Sequence, residues 1–108
     1  MLSELKRVIV GSSKPILNYV TACITLFNSG ESVIVVRARG RAINKAVEVV
    51  QLLKRRFMNN LVIASVKICD DVIQGRDGQS FSLPVLEMVL SKPDHVNATK
   101  TFLKTGDS

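Results

Sequence analysis

The spacing of hydrophobic and polar positions predicts an alternating series of strands and helices. Residues 8–10 form a short β-branched run that a glycine ends, which is typical of a strand. Apolar residues then recur every three or four positions over residues 15–28 and again over residues 42–57, which predicts two amphipathic helices. Between them, the continuous apolar run at residues 32–36 is typical of a buried strand in a parallel pair.

Two further strands complete the predicted order. Residues 61–69 and 81–90 have the composition of strands, and the glycines and polar residues at 74–79 favour a turn, so these strands are predicted to form a hairpin. Pro84 lacks an N–H for the ladder, which suits an edge position or a bulge. The order β-α-β-α-β-β predicts an α+β domain, with a mixed four-stranded sheet and two helices on one face.

Length and composition fit one domain with its own core. The chain has 108 residues, of which 46% are hydrophobic, and we expect residues 1–92 to form the domain and residues 93–108 a flexible tail without clear periodicity. Two cysteines do not make a disulfide framework and suit a reducing compartment. The N-terminus lacks the pattern of a secretion signal, and the longest uncharged stretch, residues 15–30, is shorter than the about 20 apolar residues of a membrane span. We therefore expect a cytoplasmic protein that makes no membrane contact.

The charge is distributed unevenly along the chain. The net charge is +6, and residues 1–57 carry ten basic and three acidic residues, which gives +7. Residues 58–108 carry five basic and six acidic residues, which gives −1. An excess of positive charge confined to one half favours a polyanionic partner over general solubilisation.

The residues that enzymes and metal sites need are poorly supplied. His95 is the single histidine and lies in the predicted tail, so a histidine-based triad or a histidine-rich metal site is excluded. Cys23, on the apolar stripe of the first helix, and Cys69, at a strand end, are interpreted as small core residues. Asp70 and Asp71 lack a third ligand and are expected to face solvent at a turn. We expect no catalysis, no cofactor and no bound metal.

Five basic residues are expected to converge at one edge of the sheet. Lys14 precedes the first helix, Arg37 and Arg39 are two positions apart, and Arg41 and Lys45 are four positions apart at the start of the second helix. Because parallel strands end at the same sheet edge, the segments that follow the first two strands emerge together. Such a surface fits the phosphates of a nucleic acid. The five aromatic residues of the chain supply stacking poorly, so contacts to the backbone are favoured over reading of bases.

Two segments carry a specific pattern: residues 11–20 have the sequence GSSKPILNYV, and residues 37–47 have the sequence RARGRAINKAV. Together they closely resemble the Alba family of archaeal chromatin proteins, which bind DNA and RNA. The resemblance covers about residues 8–90, in the same β-α-β-α-β-β order. It implies a homodimer, or a heterodimer with a paralogue, that binds double-stranded DNA and often RNA without marked sequence preference.

The resemblance also implies roles for individual residues. In the family, the loop lysines and the arginines matching Arg39 and Arg41 approach phosphates, and the terminal hairpin, which here carries Arg76 at its tip, reaches along the minor groove. Phe57 matches a residue at which dimers meet side by side on DNA. Two features depart from the family pattern: Ser13 occupies the position of a loop lysine that is acetylated in regulation, and the hairpin tip is close to neutral.

The apolar stripe of the second helix is wider than one contact with a sheet requires. Either a subunit interface or a well-covered core helix accounts for this width. Contacts between subunits or between dimers are predicted for Val50, Leu53, Phe57, Leu86 and Met88.

The sequence therefore predicts a dimeric, largely sequence-independent DNA-binding protein that coats or compacts chromosomal DNA in the cytoplasm. Its predicted nucleic-acid-binding residues are Lys14, Arg37, Arg39, Arg41, Lys45 and Arg76. The alternative is an RNA-binding protein or a ribonucleoprotein subunit in RNA processing or stabilisation, since charge alone does not separate the two ligands. A module whose basic face docks an acidic protein is a further alternative.

Overall fold

The computed structural model describes residues 5–93 and has the predicted order of helices and strands. The elements are β1 Lys6–Val10, α1 Ile16–Asn28, β2 Val33–Arg39, α2 Ala42–Leu52, β3 Val62–Gln74 and β4 Ser80–Ser91. A π-helical turn, Leu53–Phe57, continues α2. Residues 94–108 of the predicted tail, with His95, lie outside the described part of the chain.

The four strands form one mixed sheet in the order β1-β2-β4-β3. β1 and β2 are parallel, and β4 is antiparallel to both of its neighbours, β2 and β3. This arrangement confirms the predicted α+β class with a mixed four-stranded sheet. The final two strands form the predicted hairpin, but the hairpin strand β4 lies in the interior of the sheet and β3 lies at its edge.

The core lies between the two helices and one face of the sheet. Alternate residues of β1, β2 and β4 point toward the helices, and among them Ile34, Val36 and Leu90 are fully buried. Phe27 of α1 and Leu53 at the end of α2 are buried against them. Within residues 5–93, no helix packs on the opposite face of the sheet, and we call it the helix-free face.

The hairpin extends well past the rest of the sheet. β2 pairs with β4 only as far as Arg39 opposite Val85, so residues 80–84 pair with β3 alone. Five strand residues at about 3.4 Å each give an overhang of about 17 Å. The strands are longer than predicted, because β3 continues through the acidic residues at which the sequence favoured its end.

Pro84 occupies the position at which β4 loses its neighbour β2. Its carbonyl accepts a hydrogen bond of 2.8 Å from the Gly40 N–H, just beyond the end of β2. The N–H and C=O of one strand residue point toward the same neighbouring strand. The ring nitrogen of Pro84, which has no hydrogen to donate, therefore also faces the end of β2. The predicted edge character of this proline is therefore local, within a strand that is otherwise interior.

Other features of the described residues bear on the predicted chemistry. Cys23 is fully buried in the core, and burial raises the pKa of its thiol to about 11. Cys69 is half-buried on the helix-free face, and both cysteines are free. Within residues 5–93, no helix is both long and apolar enough to span a membrane, and no group of three or more potential protein ligands is placed to hold a metal ion.

Candidate nucleic-acid interface

The parallel pairing of β1 and β2 places a cleft at the edge of the sheet that is formed by the C-terminal ends of these two strands. Val10 lies opposite Ala38, so the loop after β1 (residues 11–15) and the turn after β2 (residues 40–41) emerge side by side. They border a cleft of about 350 Å³, which we call the edge cleft. Its polar lining residues are Ser12, Arg37, Arg39, Arg41 and Asp71.

Lys45 of α2 anchors the β1–α1 loop through hydrogen bonds to its main chain. Its Nζ donates hydrogen bonds to the main-chain oxygens of Ser12, at 2.9 Å, and Lys14, at 2.6 Å. At the start of the same loop, the Gly11 N–H donates to the Tyr19 hydroxyl at 3.0 Å. These bonds fix the loop main chain while the Lys14 side chain stays exposed. The ammonium of Lys45, predicted to contact nucleic acid, is thus engaged by the loop itself.

Neither helix has a side-chain cap at its N-terminus; α2 begins at the edge cleft, and α1 begins at the end of the loop that borders it. The residue before α1 is Pro15 and the residue before α2 is Arg41, and neither side chain bonds to the first turn of its helix. The first N–H groups of a helix have no partner within the helix, and the helix dipole places partial positive charge there. Two such ends beside Lys14 and Arg41 add to the attraction for an anion.

A glycine shapes the turn that carries two of the predicted arginines. Gly40 has a φ of +58°, in the left-handed region that residues with a Cβ rarely adopt. The turn is fixed by the Gly40 N–H bond to β4, and the Leu83 side chain packs about 3.6 Å from the position a Cβ would take. Arg39 therefore stays on the strand while Arg41 starts α2, and both side chains are exposed.

Arg37 and Arg39 lie on the helix-free face and are bound by carboxylates. Arg37 Nη2 lies 2.9 Å from each carboxylate oxygen of Asp71, and Arg39 Nη1 lies 3.3 Å from Oδ2 of the same group. On its other side, Arg37 Nε lies 3.4 Å from Oε2 of Glu87, which also pairs with Arg7 at 3.4 Å. We call these five residues the arginine–carboxylate row. Three positive and two negative charges leave it with a net charge of +1.

The expectation that Asp71 faces solvent at a turn is wrong. The residue belongs to β3, and its carboxylate is partly covered, with 31% of the side chain exposed. The hydrogen bonds from Arg37, with those from Arg39, lower the pKa of the Asp71 carboxyl, and Asp71 raises the pKa of Arg37. The role of Asp71 was not predicted, because the strand was expected to end at Cys69. Continued alternation through Cys69, Asp71 and Ile73 is the signal that places the three on one face.

Arg76 lies away from the edge cleft. It is exposed in the turn of the hairpin, at the end of the overhang of about 17 Å. The turn is closed by hydrogen bonds from Gly75 N–H to Gln79 O at 2.7 Å and from Gln79 N–H to the Asp77 side chain at 3.1 Å. The structure thus brings Lys14, Arg37, Arg39, Arg41 and Lys45 to one edge and leaves Arg76 separate.

Four of the five predicted subunit contacts lie in the core of the chain itself. Val50, Leu53, Leu86 and Met88 are each at most 8% exposed, whereas Phe57 is 53% exposed. Exposed apolar side chains lie next to them. Val47 of α2 and Ile63 of β3 line a groove of about 330 Å³ between these two elements. Val66 and Ile68 extend the exposed apolar surface along β3. We call this surface the apolar groove; the predicted contacts Val50 and Met88 line it, but its exposed β3 residues were not predicted because the sequence does not show which strand lies at the sheet edge.

Comparisons with known proteins agree on one family. The Alba family model matches residues 6–69. The DNA/RNA-binding protein Alba of Methanococcus maripaludis is 38% identical over 87 residues, which are 80% of this chain and 98% of that protein. DNA/RNA-binding protein Alba 1 of Archaeoglobus fulgidus is 38% identical over 85 residues, covering 79% of this chain and 93% of that protein. The solved structure of Alba from Thermoplasma volcanium superposes with a TM-score of 0.76 at 32% identity, covering 81% of this chain and all of that one. The span that matches the family model includes the loop and the turn that border the edge cleft.

Proposed function

The chain belongs to the Alba family, and on that basis we propose that it is a dimeric protein that binds double-stranded DNA with little sequence preference. In this role it coats or compacts chromosomal DNA and is associated with the chromosome, with no catalysed reaction and no cofactor. The observation that carries the proposal is the sheet edge at the edge cleft, where Arg39 and Arg41 line the cleft and Lys14 is exposed on the loop that borders it. The names of two relatives, which are DNA/RNA-binding proteins, point in the same direction.

The form of the edge cleft favours contacts to phosphates over contacts to bases. Reading of bases in duplex DNA commonly needs a helix or a ribbon inside the major groove. Here both helices pack their apolar faces on the sheet, and the cleft is lined by strand ends, the start of the β1–α1 loop, the turn after β2 and the N-terminus of α2. Such groups bind phosphate oxygens, which carry no sequence information of their own.

The apolar groove supports the dimer that we propose. Contiguous exposed apolar surface beside a helix is typical of protein–protein contact sites, and a second copy of the chain would cover Val47, Ile63 and Val66. Two copies at +6 each give a formal charge of +12. We expect Val66→Asp to give monomers in sedimentation equilibrium, whereas Leu17→Asp, an equally exposed apolar residue on α1, leaves dimers. Dimers of both variants would contradict this interface.

The dependence of binding on salt tests the proposed function. If each subunit makes three phosphate contacts, through Lys14, Arg39 and Arg41, a dimer makes six. The slope of log K against log salt is then about −5 on duplex DNA, and affinity falls roughly 10³-fold between about 50 and 200 mM salt. We expect the same slope for two duplexes of unrelated sequence. A flat response, or tight binding of one sequence alone, would contradict the proposal.

RNA is the second candidate ligand, because the relatives are named for both nucleic acids. Competition between duplex DNA and structured RNA of equal length, at one salt concentration, separates the two. A clear preference for RNA would favour a role in RNA processing or stabilisation. Equal competition would indicate a binder that responds to phosphate density alone.

A further inference from the structure

We propose that Asp71 sets how strongly this protein binds nucleic acid, because it occupies Arg37 and Arg39 in the free protein as an internal substitute for a phosphate. This inference rests on the proposed function and adds to it a residue that lowers affinity. It places Asp71 among the residues that determine binding although its charge opposes the ligand.

The position of Asp71 carries the argument. Its side chain lines the edge cleft beside Arg37, Arg39 and Arg41. Both of its oxygens lie 2.9 Å from Arg37 Nη2, and Oδ2 lies 3.3 Å from Arg39 Nη1. A carboxylate oxygen at this distance from a guanidinium takes the place that a phosphate oxygen takes in a complex.

Arg39 is the arginine whose availability depends most on Asp71. Arg37 keeps a second carboxylate, Glu87, at 3.4 Å, and only 23% of its side chain is exposed. Arg39 has 51% of its side chain exposed, and within residues 5–93 its one ion-pair partner is Asp71. A phosphate that approaches Arg39 must displace the carboxylate or remain a few ångströms from it, and like charges at such a distance repel.

The adjacent Asp70 provides a matched control. Neighbouring residues of a strand point to opposite faces of the sheet, so Asp70 points away from the helix-free face. Among the described residues, no arginine or lysine pairs with it. Asp70→Asn and Asp71→Asn each remove one negative charge from the same strand, but only Asp71→Asn removes the ion pairs with the two arginines. The asparagine oxygen still accepts a hydrogen bond from Arg37, so the fold keeps its local geometry.

The experiment measures the affinity of the full chain for one duplex across a range of salt, for the unsubstituted protein and both variants. Repulsion between the Asp71 carboxylate and a phosphate about 6 Å away lowers affinity by roughly 3-fold to 100-fold at about 50 mM salt. We expect Asp71→Asn to bind at least 3-fold more tightly and to steepen the salt slope by up to about 0.9 per subunit. We expect Asp70→Asn to change affinity less than about 2-fold, and thermal unfolding confirms that both variants are folded.

The outcomes separate this inference from the proposed function. Equal effects of the two substitutions would overturn the role of Asp71 and leave the proposed function intact. Weaker binding by Asp71→Asn would also overturn it, since the carboxylate would then position the arginines for the ligand. Absence of binding by the unsubstituted protein would refute both proposals. In an Arg37→Ala, Arg39→Ala background we expect the gain from Asp71→Asn to disappear, and its persistence would show a general charge effect.

Discussion

Replacement of Lys45 by methionine tests whether this side chain acts by holding the β1–α1 loop. Methionine keeps most of the length of the side chain and removes the ammonium that donates to the oxygens of Ser12 and Lys14, at 2.9 and 2.6 Å. Each hydrogen bond is worth about 1 kcal/mol, so the loop loses about 2 kcal/mol of restraint. If DNA binding must order the loop again, each subunit loses at most about that amount of binding free energy, or roughly 30-fold in affinity.

Lys54 provides the control for this prediction. Its Nζ also donates to a main-chain oxygen, that of Leu61 at 2.6 Å, but it lies about 14 Å further along the helix from Lys45. Lys54→Met removes the same charge and a bond of the same kind without touching the loop. We expect Lys45→Met to weaken binding clearly more than Lys54→Met does.

Fluorescence titrations over a range of salt give the assay. If Lys45 acts through the loop, Lys45→Met lowers affinity at every salt concentration and leaves the slope nearly unchanged. Its effect should also shrink in a Lys14→Ala background, because the loop then has no charge to present. A slope reduced by about 0.9 per subunit would instead indicate a direct phosphate contact and refute the reasoning. Equal affinities of the Lys45→Met and Lys54→Met variants would refute it as well.

Four other measurements test individual side chains of the interface and of the core. Arg39→Ala should weaken binding to unrelated duplexes equally and reduce the salt slope, and a loss confined to one sequence would contradict phosphate recognition. Leu53→Ala should destabilise the fold by about 2–5 kcal/mol in urea unfolding, because the side chain is fully buried; a change below 1 kcal/mol would count against the described core. Cys23 should resist a thiol reagent at neutral pH while Cys69 reacts, since burial raises the pKa of Cys23 to about 11, and equal rates would contradict this burial. The ion pairs of Asp71 lower its pKa, so their contribution to stability is present above the unfolded pKa of about 3.9 and is lost as pH falls through the lower folded value. The difference in unfolding free energy between the unsubstituted protein and Asp71→Asn should therefore shrink in acid, and a difference independent of pH would argue against the pairing.

The helices and the order of elements followed from the sequence because their signals are local. The predicted first helix, residues 15–28, differs from α1 only at Pro15, which lies at the N-cap. The predicted second helix, residues 42–57, matches α2 together with its π-helical turn. The strand order was not predictable, since alternation assigns a residue to a face but does not identify the neighbouring strand.

The edge cleft was partly predictable for a related reason. Parallel strands on either side of a helix end at one edge, so the convergence of Lys14, Arg39 and Arg41 followed from topology alone. The pairing of Asp71 with Arg37 depends on the register of two antiparallel strand pairs and on strands longer than predicted. A slip of one residue in β3 would turn that carboxylate to the other face, and no local pattern fixes the register.

Amide chemical shifts during titration with a short duplex test the central claim most directly. If phosphates bind at the edge cleft, signals of residues 11–14 and 40–41 shift most, whatever the sequence of the duplex. Residues 29–31, which follow α1 at the opposite edge of the sheet, should stay unchanged. Shifts confined to that opposite edge, or small shifts spread evenly over the chain, would contradict the account.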